Sequence, residues 1–498
     1  MTKGMLRFID TAQRMPEKRD ATRRTEDFDE IYQNYAVESA AEQAARCSQC
    51  GVPFCSIHCP LENNIPDWLK LTAEGRLKEA YEISQATNNF PEICGRICPQ
   101  DRLCEGNCVI EKGFDSVTIG SIEKFLTDTA WREGWVKPPI PRNKIDKSVG
   151  IVGAGPGGMA AAEQLRAQGY DVDVYDRYDR VGGLLIYGIP NFKLEKEIVD
   201  RRAGLLTDAG IRFHLNFEVG RDATLNELRE RHDAVLIATG VYKAREIQMP
   251  GIGLDGVPMA MSYLTASNRK GLGDNVPKFE DGTLNADGKN VVVIGGGDTA
   301  MDCVRTAIRQ NAKSVRCLYR RDRENMPGSI REVQHAEEEG VEFAWLSSPM
   351  ALLGNSADHV KRVRAMRMHL GLPDADGRQL PEAIKGSDFT IDADLVILAL
   401  GFDPEDVPKM FGAPELEVSR WGTIAIDQRS MMTNLDGVFA AGDIVRGASL
   451  VVWAIRDARD AAVQIDKYLT TGSSTKSPGA QPTNQQIKKA QPSEASEL

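Results

Sequence analysis

The sequence predicts an α/β chain in which a helical, cysteine-rich segment precedes two dinucleotide-binding (Rossmann-like) folds. Three observations carry this: a strand, glycine turn and helix pattern that occurs twice, eight of ten cysteines confined between Cys47 and Cys108, and a length of 498 residues. At roughly 150 residues per domain, that length suits about three domains.

The first copy of the pattern is Val149-Gly150-Ile151-Val152-Gly153-Ala154-Gly155-Pro156-Gly157-Gly158, a short apolar strand and a G-x-G-x-x-G turn, followed by an Ala-rich helix to about Gly169. Gly153, Gly155 and Gly158 let backbone N–H groups approach a pyrophosphate at the helix N-terminus, where the helix dipole favours an anion. The next strand, Asp171 to Tyr175, ends in Asp176, about 20 residues on, where an acid would hold a ribose 2′-hydroxyl. A free 2′-hydroxyl suits FAD or NAD.

The second copy is Asn290-Val291-Val292-Val293-Ile294-Gly295-Gly296-Gly297-Asp298-Thr299-Ala300, with Ala300 in the place of the third glycine. Its following strand runs from Ser314 into Arg320 and Arg321 rather than into an acid. Arginines at this end suit a 2′-phosphate, so NADPH is expected here, with Gly295, Gly297, Asp298, Thr299, Arg320 and Arg321 as its candidate ligands. Two nucleotides in one chain imply FAD in the first fold and NADPH in the second. Leu435 to Asp443 is a further strand ending in Gly442-Asp443, where the aspartate can accept from a ribityl chain. Gly183 and Leu184, soon after Asp176, fall where a loop approaches the flavin. Ser449 and Leu450 open a long helix whose N–H groups can face reduced flavin, unless Ser449 merely caps it. The segments Asp233 to Gly240 and Asp394 to Gly401 nearly repeat each other, as paired crossovers between the two folds would.

The cysteines read Cys47-x2-Cys50-x4-Cys55-x3-Cys59-Pro60 and Cys94-x3-Cys98-Pro99-x4-Cys104-x3-Cys108. Disulfides suit neither this size nor a reducing compartment, and zinc prefers paired knuckles that only the first pair resembles. Short runs of thiolates that include a Cys followed by Pro, as at Cys59-Pro60 and Cys98-Pro99, favour two 4Fe-4S clusters. By analogy with two-cluster ferredoxins, Cys59 is expected to join Cys98, Cys104 and Cys108, leaving Cys47, Cys50 and Cys55 with a fourth ligand from Cys94 or Glu123. His58 is expected to be a bystander.

Composition excludes several classes. At 42% apolar and 27% charged, with 45 Gly and 24 Pro, the chain is of ordinary globular type. A net charge of −11 repels nucleic acid and anionic lipid, so neither is an expected partner. Met1 to Arg7 lacks the apolar core of a signal peptide, and no stretch is apolar enough for a transmembrane helix, so a cytoplasmic location is expected.

Together with Asp27-Phe28-Asp29-Glu30-Ile31-Tyr32, Gly182-Gly183-Leu184-Leu185-Ile186-Tyr187-Gly188-Ile189-Pro190, Gly295 to Asp302 and Ala440 to Asp443, these motifs resemble the small (beta) subunit of bacterial NADPH-dependent glutamate synthase. The resemblance spans nearly the whole chain, and the same module resembles the N-terminal half of dihydropyrimidine dehydrogenase. It implies a core of adrenodoxin/glutathione-reductase type behind a helical domain with two 4Fe-4S clusters. Electrons would pass from NADPH to FAD to the clusters, and then to a large (alpha) subunit that makes glutamate from glutamine and 2-oxoglutarate. A hetero-oligomer follows from that. The alternative is an NADPH:ferredoxin-type oxidoreductase subunit with another partner. In dihydropyrimidine dehydrogenase-like relatives a non-cysteine side chain from a later helix completes one cluster, and Glu123 stands near that place.

The expected domains are 1–140 for the clusters, 145–245 with 405–470 for FAD, 246–404 for NADPH, and a disordered tail over 471–498. Glu337-Glu338-Glu339 reads as a solvated helix face, and Cys303 and Cys317 as buried apolar residues.

Overall fold

The computed structural model describes residues 4–141, 143–374 and 379–472. Beyond Gly472, the expected tail lies outside the described residues.

Five parallel strands build the first sheet, in the spatial order Val438–Ala440, Ala234–Ile237, Ser148–Val152, Asp171–Tyr175 and Arg212–His214. Both faces are covered, so the three inner strands are buried over almost their whole length: Ala234–Ile237 is wholly apolar and Ser148–Val152 nearly so, whereas Asp171–Tyr175 alternates and pairs its buried Asp173 with Arg212. Helix Pro156–Gln168 starts with proline in its first turn and ends at Gly169, whose φ of +117° suits a glycine stop. It packs against helix Val451–Thr471, and the facing surfaces carry Ala160, Ala161, Ala458, Ala461 and Ala462, all fully buried. Such small side chains let the two helix axes approach closely.

The second sheet has four parallel strands in the order Leu395–Leu398, Asn290–Ile294, Ser314–Leu318 and Glu342–Ala344. Between its last two strands in sequence lies an antiparallel sheet of Ser347–Gly354, Val360–Pro373, Gln379–Ala383 and Phe389–Asp392, which buries Leu352, Val363 and Ile391 against the back of the parallel strands. The near-repeated segments sit in corresponding places, one in each parallel sheet. Each turns at a glycine of positive φ, Gly240 (+71°) and Gly401 (+95°), and the residues that follow, Lys243–Ala244 and Phe402–Asp403, pair with each other. The two sheets are thus joined by a double crossover.

The cysteine-rich segment is helical, with Val37–Ala44, Ile65–Ala73, Leu77–Thr87, Pro91–Ile97 and Ile119–Arg132 around Trp68, Tyr81, Ile122 and Leu126. It is wedged against both nucleotide folds. Leu61, Phe90, Ile93 and Cys94 belong to the core of the first fold, where the fully buried Arg202 donates to Glu92 at 2.7 and 3.0 Å. Helix Ile330–Glu338 of the second fold meets the N-terminal segment through Tyr32 to His335 (2.9 Å) and Arg24 to Glu338 (2.7 Å).

Those contacts correct the reading of Glu337-Glu338-Glu339. Glu338 is bound by Arg24 and Lys18, and Glu339 is buried against Arg305 and Arg309. The three acids are consecutive, so they point around the helix in different directions, and the partners that neutralise two of them come from other elements. Cys303 and Cys317 are buried and free of disulfides, as expected.

Candidate functional site

The first glycine turn opens a cleft at the carboxyl ends of the parallel strands, where ligands of such sheets bind. Gly153 has φ +112°, and a Cβ there would meet the Ala238 carbonyl oxygen at 2.5 Å. At Gly158 a Cβ would fall 1.8 Å from the Gly153 oxygen, so the helix can follow the turn this tightly only with glycine. Gly155, by contrast, has open space before it and lines the cleft. A phosphate would approach the backbone there.

Asp176 also lines the cleft. Its carboxylate accepts from the Ala154 N–H at 2.6 Å and from the Tyr178 N–H at 2.8 Å. Burial raises its proton affinity above the usual carboxylate value, and those two N–H groups oppose the rise. The Gly182-Gly183 loop folds back over the turn. Gly182 N–H donates to the Ala154 oxygen at 2.9 Å, and a Cβ on Gly183 would come within 2.9 Å of the Gly155 Cα. Leu184 completes that side of the cleft.

The far side is made by Gly442, Asp443, Ser449 and Leu450. Burial pushes the Asp443 carboxyl up to about 6, despite the Ser449 hydroxyl that donates to it at 2.6 Å. Ser449 therefore does not cap the helix. Leu450 occupies the cap position, and the helix N-terminus is left facing the cleft without a side-chain cap.

Sequence reasoning missed other walls of this cleft: Arg177, Tyr178, Tyr242 and Glu405. Arg177 donates to Glu405 at 2.9 and 3.1 Å, and its guanidinium lies 5.1 Å from the centre of the Tyr242 ring. All four follow strand ends within a few residues, which is the signal that would have found them.

At the second turn, Gly295 (φ +148°) packs on the Ala399 carbonyl, which a Cβ would meet at 2.2 Å. A Cβ on Gly296 would strike the Tyr319 ring at 2.3 Å, so this glycine, not singled out by the motif, is also required. Gly297 faces open space. Asp298, the first residue of helix Asp298–Arg309, accepts from the Ser329 N–H at 2.9 Å, and Thr299 follows it half-buried. Arg320 is exposed, while Arg321 carries a buried Nε with no hydrogen-bond partner. A buried guanidinium N–H without a partner is a donor in want of an acceptor, and a phosphate oxygen is one that suits it.

The structure divides the thiols differently from the sequence reading. Cys55 is pushed up to about 12 by burial, with Cys47 and Cys108 beside it. Cys108, raised by burial, in turn has Cys50 beside it. One set is therefore Cys47, Cys50, Cys55 and Cys108. Cys59 is raised to about 11 by burial, with Glu123 and Cys94 next to it. Cys98 is raised by a hydrogen bond with Cys94 and then by burial, and Cys104 by burial, with Glu105, Cys59 and Glu123 ahead of Cys55 among its neighbours. The other set is Cys59, Cys94, Cys98 and Cys104, with Glu123. Cys94 and Cys108 have exchanged places because a tight turn at Gln100–Arg102 and the bend after it carry Cys108 away from Cys98, while Cys94 precedes Cys98 by one helical turn.

Glu123 and Cys94 are both tied to Asn88, at 3.1 and 3.7 Å. Burial raises the Glu123 carboxyl to about 8. Buried thiols that raise each other's proton affinity become thiolates only against a cationic centre, so the donor set fits a metal cluster. Among the described residues no three of His, Cys, Asp and Glu converge on a single-ion site. A lone zinc needs all its sulfurs at about 2.3 Å, whereas a cubane spreads its ligands over four irons. His58 is exposed and its ring faces the Phe54 carbonyl at 2.9 Å, outside both sets.

Comparisons with known proteins identify the family. Residues 24–135 match the family described as dihydropyrimidine dehydrogenase domain II, 4Fe-4S cluster, and residues 147–458 match pyridine nucleotide-disulphide oxidoreductase. The chain is 68% identical over 465 residues to the glutamate synthase [NADPH] small chain of Azospirillum brasilense, covering 93% of this chain and 96% of that one. This chain belongs to the glutamate synthase [NADPH] small chain family. The Escherichia coli (strain K12) member is 44% identical over 472 residues, 94% of this chain and 100% of its own length. The fold is also that of FprA from Mycobacterium tuberculosis, solved in complex with NADPH, at 22% identity and a TM-score of 0.55 over 66% of this chain and 85% of that one. The family thus joins a 4Fe-4S domain to a flavin and nicotinamide nucleotide fold in one NADPH-dependent oxidoreductase chain. No helix among the described residues is long and apolar enough to cross a membrane.

Proposed function

We propose that this chain is the electron-input subunit of a cytoplasmic glutamate synthase, oxidising NADPH and working with a large subunit as a hetero-oligomer. The observation that carries the reading is the contrast between the two ribose ends: a buried Asp176 after one glycine turn, and Arg320 with Arg321, whose buried Nε has no hydrogen-bond partner, after the other. When bound, FAD supplies hydride acceptance and the 4Fe-4S clusters supply single-electron transfer.

The chain's own residues position these groups. Open backbone at Gly155 and at Gly297 admits one pyrophosphate each, and the two arginines are available to a 2′-phosphate. Gly183 and Leu184 hold the flavin side of the first cleft, and Asp443 with Ser449 offers acceptors to a ribityl chain. Cys59, Cys98, Cys104 and either Cys94 or Glu123 would hold the cluster nearer the flavin, because Cys59, Cys94 and Cys98 pack into the core of that fold. Cys47, Cys50, Cys55 and Cys108 would hold the other. Beside this second set in sequence, Val52, Phe54, Ile57 and Val109 are all exposed, a surface that suits contact with the large subunit.

The strand memberships support a division into 1–140, 145–245 with 405–470, and 246–404. Ten cysteines free of disulfides fit a reducing cytoplasm.

The test is Arg320→Ala with Arg321→Ala, assayed with both nicotinamide nucleotides. Loss of charge-assisted hydrogen bonds to the 2′-phosphate is expected to raise the KM for NADPH by about 10- to 100-fold while that for NADH moves little. Equal losses for both would remove the assignment.

A further inference from the structure

The turn Gln100–Arg102 lies between Cys98 and Cys104, in the cysteine-rich segment, yet its side chains reach the second nucleotide fold. Asp101 accepts from the Ser329 hydroxyl at 3.1 Å through one oxygen and from the Ile330 N–H at 3.2 Å through the other. Arg102 donates to the Pro327 carbonyl. Arg331 reaches back to Glu105 at 2.8 Å.

On its opposite side, residues 327–330 lean on the second glycine turn. Gly328 N–H donates to the Gly296 oxygen at 2.9 Å, and Ser329 N–H donates to Asp298 at 2.9 Å. The fit is close enough that a Cβ on Gly328 would meet the Gly296 oxygen at 3.1 Å. A single layer of chain therefore separates the turn at Gln100–Arg102 from the backbone that would cradle the nucleotide.

Ser329 stands at the N-cap of helix Ile330–Glu338, but its side chain makes no capping bond. Its hydroxyl is given to Asp101 instead, and the Asp101 carboxylate takes the first N–H of the helix. The cap is thus supplied from another domain, in the place where a helix N-terminus gains most from an anion. The far end of the helix is held separately, by Arg24 and Lys18 on Glu338 and by Tyr32 on His335. Removing Asp101 would loosen the loop beside the glycine turn and leave the helix docked.

We propose that Asp101 is a positioning residue for the nicotinamide nucleotide. The cysteine-rich domain, through this one carboxylate, fixes the wall of the NADPH-binding turn, so nucleotide affinity is set partly from outside the nucleotide fold. The inference rests on the reading that the second turn takes NADPH. A contact serving only to dock the domains would change stability and leave nucleotide affinity alone.

The test uses the full chain loaded with flavin and iron, with ferricyanide as electron acceptor. Asp101→Ala is expected to raise the KM for NADPH about 5- to 10-fold, the equivalent of one lost cap, with kcat within about twofold and flavin and iron content unchanged. NADP+ affinity, read from its perturbation of the flavin spectrum, should fall by the same factor. Asp101→Asn keeps one accepting oxygen and should lose less. Ser329→Ala removes the same hydroxyl contact from the other side, and the two changes should be less than additive.

Arg321→Ala serves as the reference. An unchanged KM in Asp101→Ala beside a raised one in Arg321→Ala overturns the proposal and leaves the site reading intact. An unchanged KM in Arg321→Ala would mean that the site reading itself has failed. Should Asp101→Ala lose iron, Ser329→Ala decides: it lies outside the thiol sets, and an unchanged KM there overturns the proposal.

Discussion

The two glycine turns share a motif, the packing of its first glycine on a strand-end carbonyl and an open position beyond it, and differ in the side chains and loops that border that position. The first is roofed: Gly182 bonds to it, Gly183 lies against Gly155, and Asp176 has an N–H on each carboxylate oxygen. The second takes one loop bond as well, from the Gly328 N–H to the Gly296 oxygen, but no residue lies over Gly297 as Gly183 lies over Gly155, and its border is the exposed Arg320. One geometry suits a nucleotide that stays, and the other a nucleotide that comes and goes. A fingerprint therefore specifies where a pyrophosphate sits, and the surrounding loops decide how long.

The third position of the motif breaks this comparison most forcefully. Gly158 has the Gly153 oxygen 1.8 Å from where a Cβ would be, whereas the second fold carries Ala300 at the matching place, fully buried and accommodated. Gly158→Ala must shift the turn or the helix. We expect it to cost about 3 kcal/mol, the upper end for overpacking, and to leave the purified protein with little flavin, read by absorbance per chain. Ala300→Gly should cost roughly 1 kcal/mol from helix propensity, with NADPH affinity retained. Similar flavin loss in both variants would show that the two turns are not built differently after all.

A second and smaller effect comes from Asp443, on the flavin side only. Its carboxyl ionises near 6 instead of its ordinary 3.8, because burial opposes the charge more than Ser449 favours it. A raised acid binds its proton more tightly when folded. Its contribution to stability is therefore complete below about pH 3.8 and is lost as pH rises through about 6. Asp443→Asn keeps an acceptor without a charge, so the difference in Tm between wild type and variant should change between pH 4 and 6 and level off above that. A difference independent of pH would mean that this carboxyl titrates normally.

Legibility in the sequence followed distance along the chain. Strand, turn and helix within each fingerprint are local, so Gly153, Gly158 and Gly295 could be placed from spacing, as could the acid and the arginines at the strand ends. The partition of the thiols was not local. Eight cysteines in 62 residues leave many pairings open, and the choice falls to the turn at Gln100–Arg102 and the bend beyond it. Glu339 looked solvated because its neighbours are acids, while Arg305 and Arg309, which bury it, lie 34 and 30 residues away. Asp101 carried no motif at all. Its role appears only when two domains are set side by side, and no periodicity in one segment encodes a contact 228 residues distant.

The smallest expected effect is the sharpest on the comparison itself. Gly297 has a φ of −87°, which any residue adopts, and nothing within 4 Å of a Cβ, so Gly297→Ala meets neither strain nor neighbour in the protein. Its Tm should stay within about a degree of wild type, since an unstrained surface change is worth at most about 0.5 kcal/mol. The methyl would nevertheless stand where the backbone must approach a pyrophosphate, and a several-fold rise in the KM for NADPH is expected, with flavin content untouched. That split between binding and stability can arise only if the glycine is there for the ligand and not for the fold. A drop in Tm without a change in KM would assign Gly297 to packing, like Gly158, and the open character of the second turn would go with it.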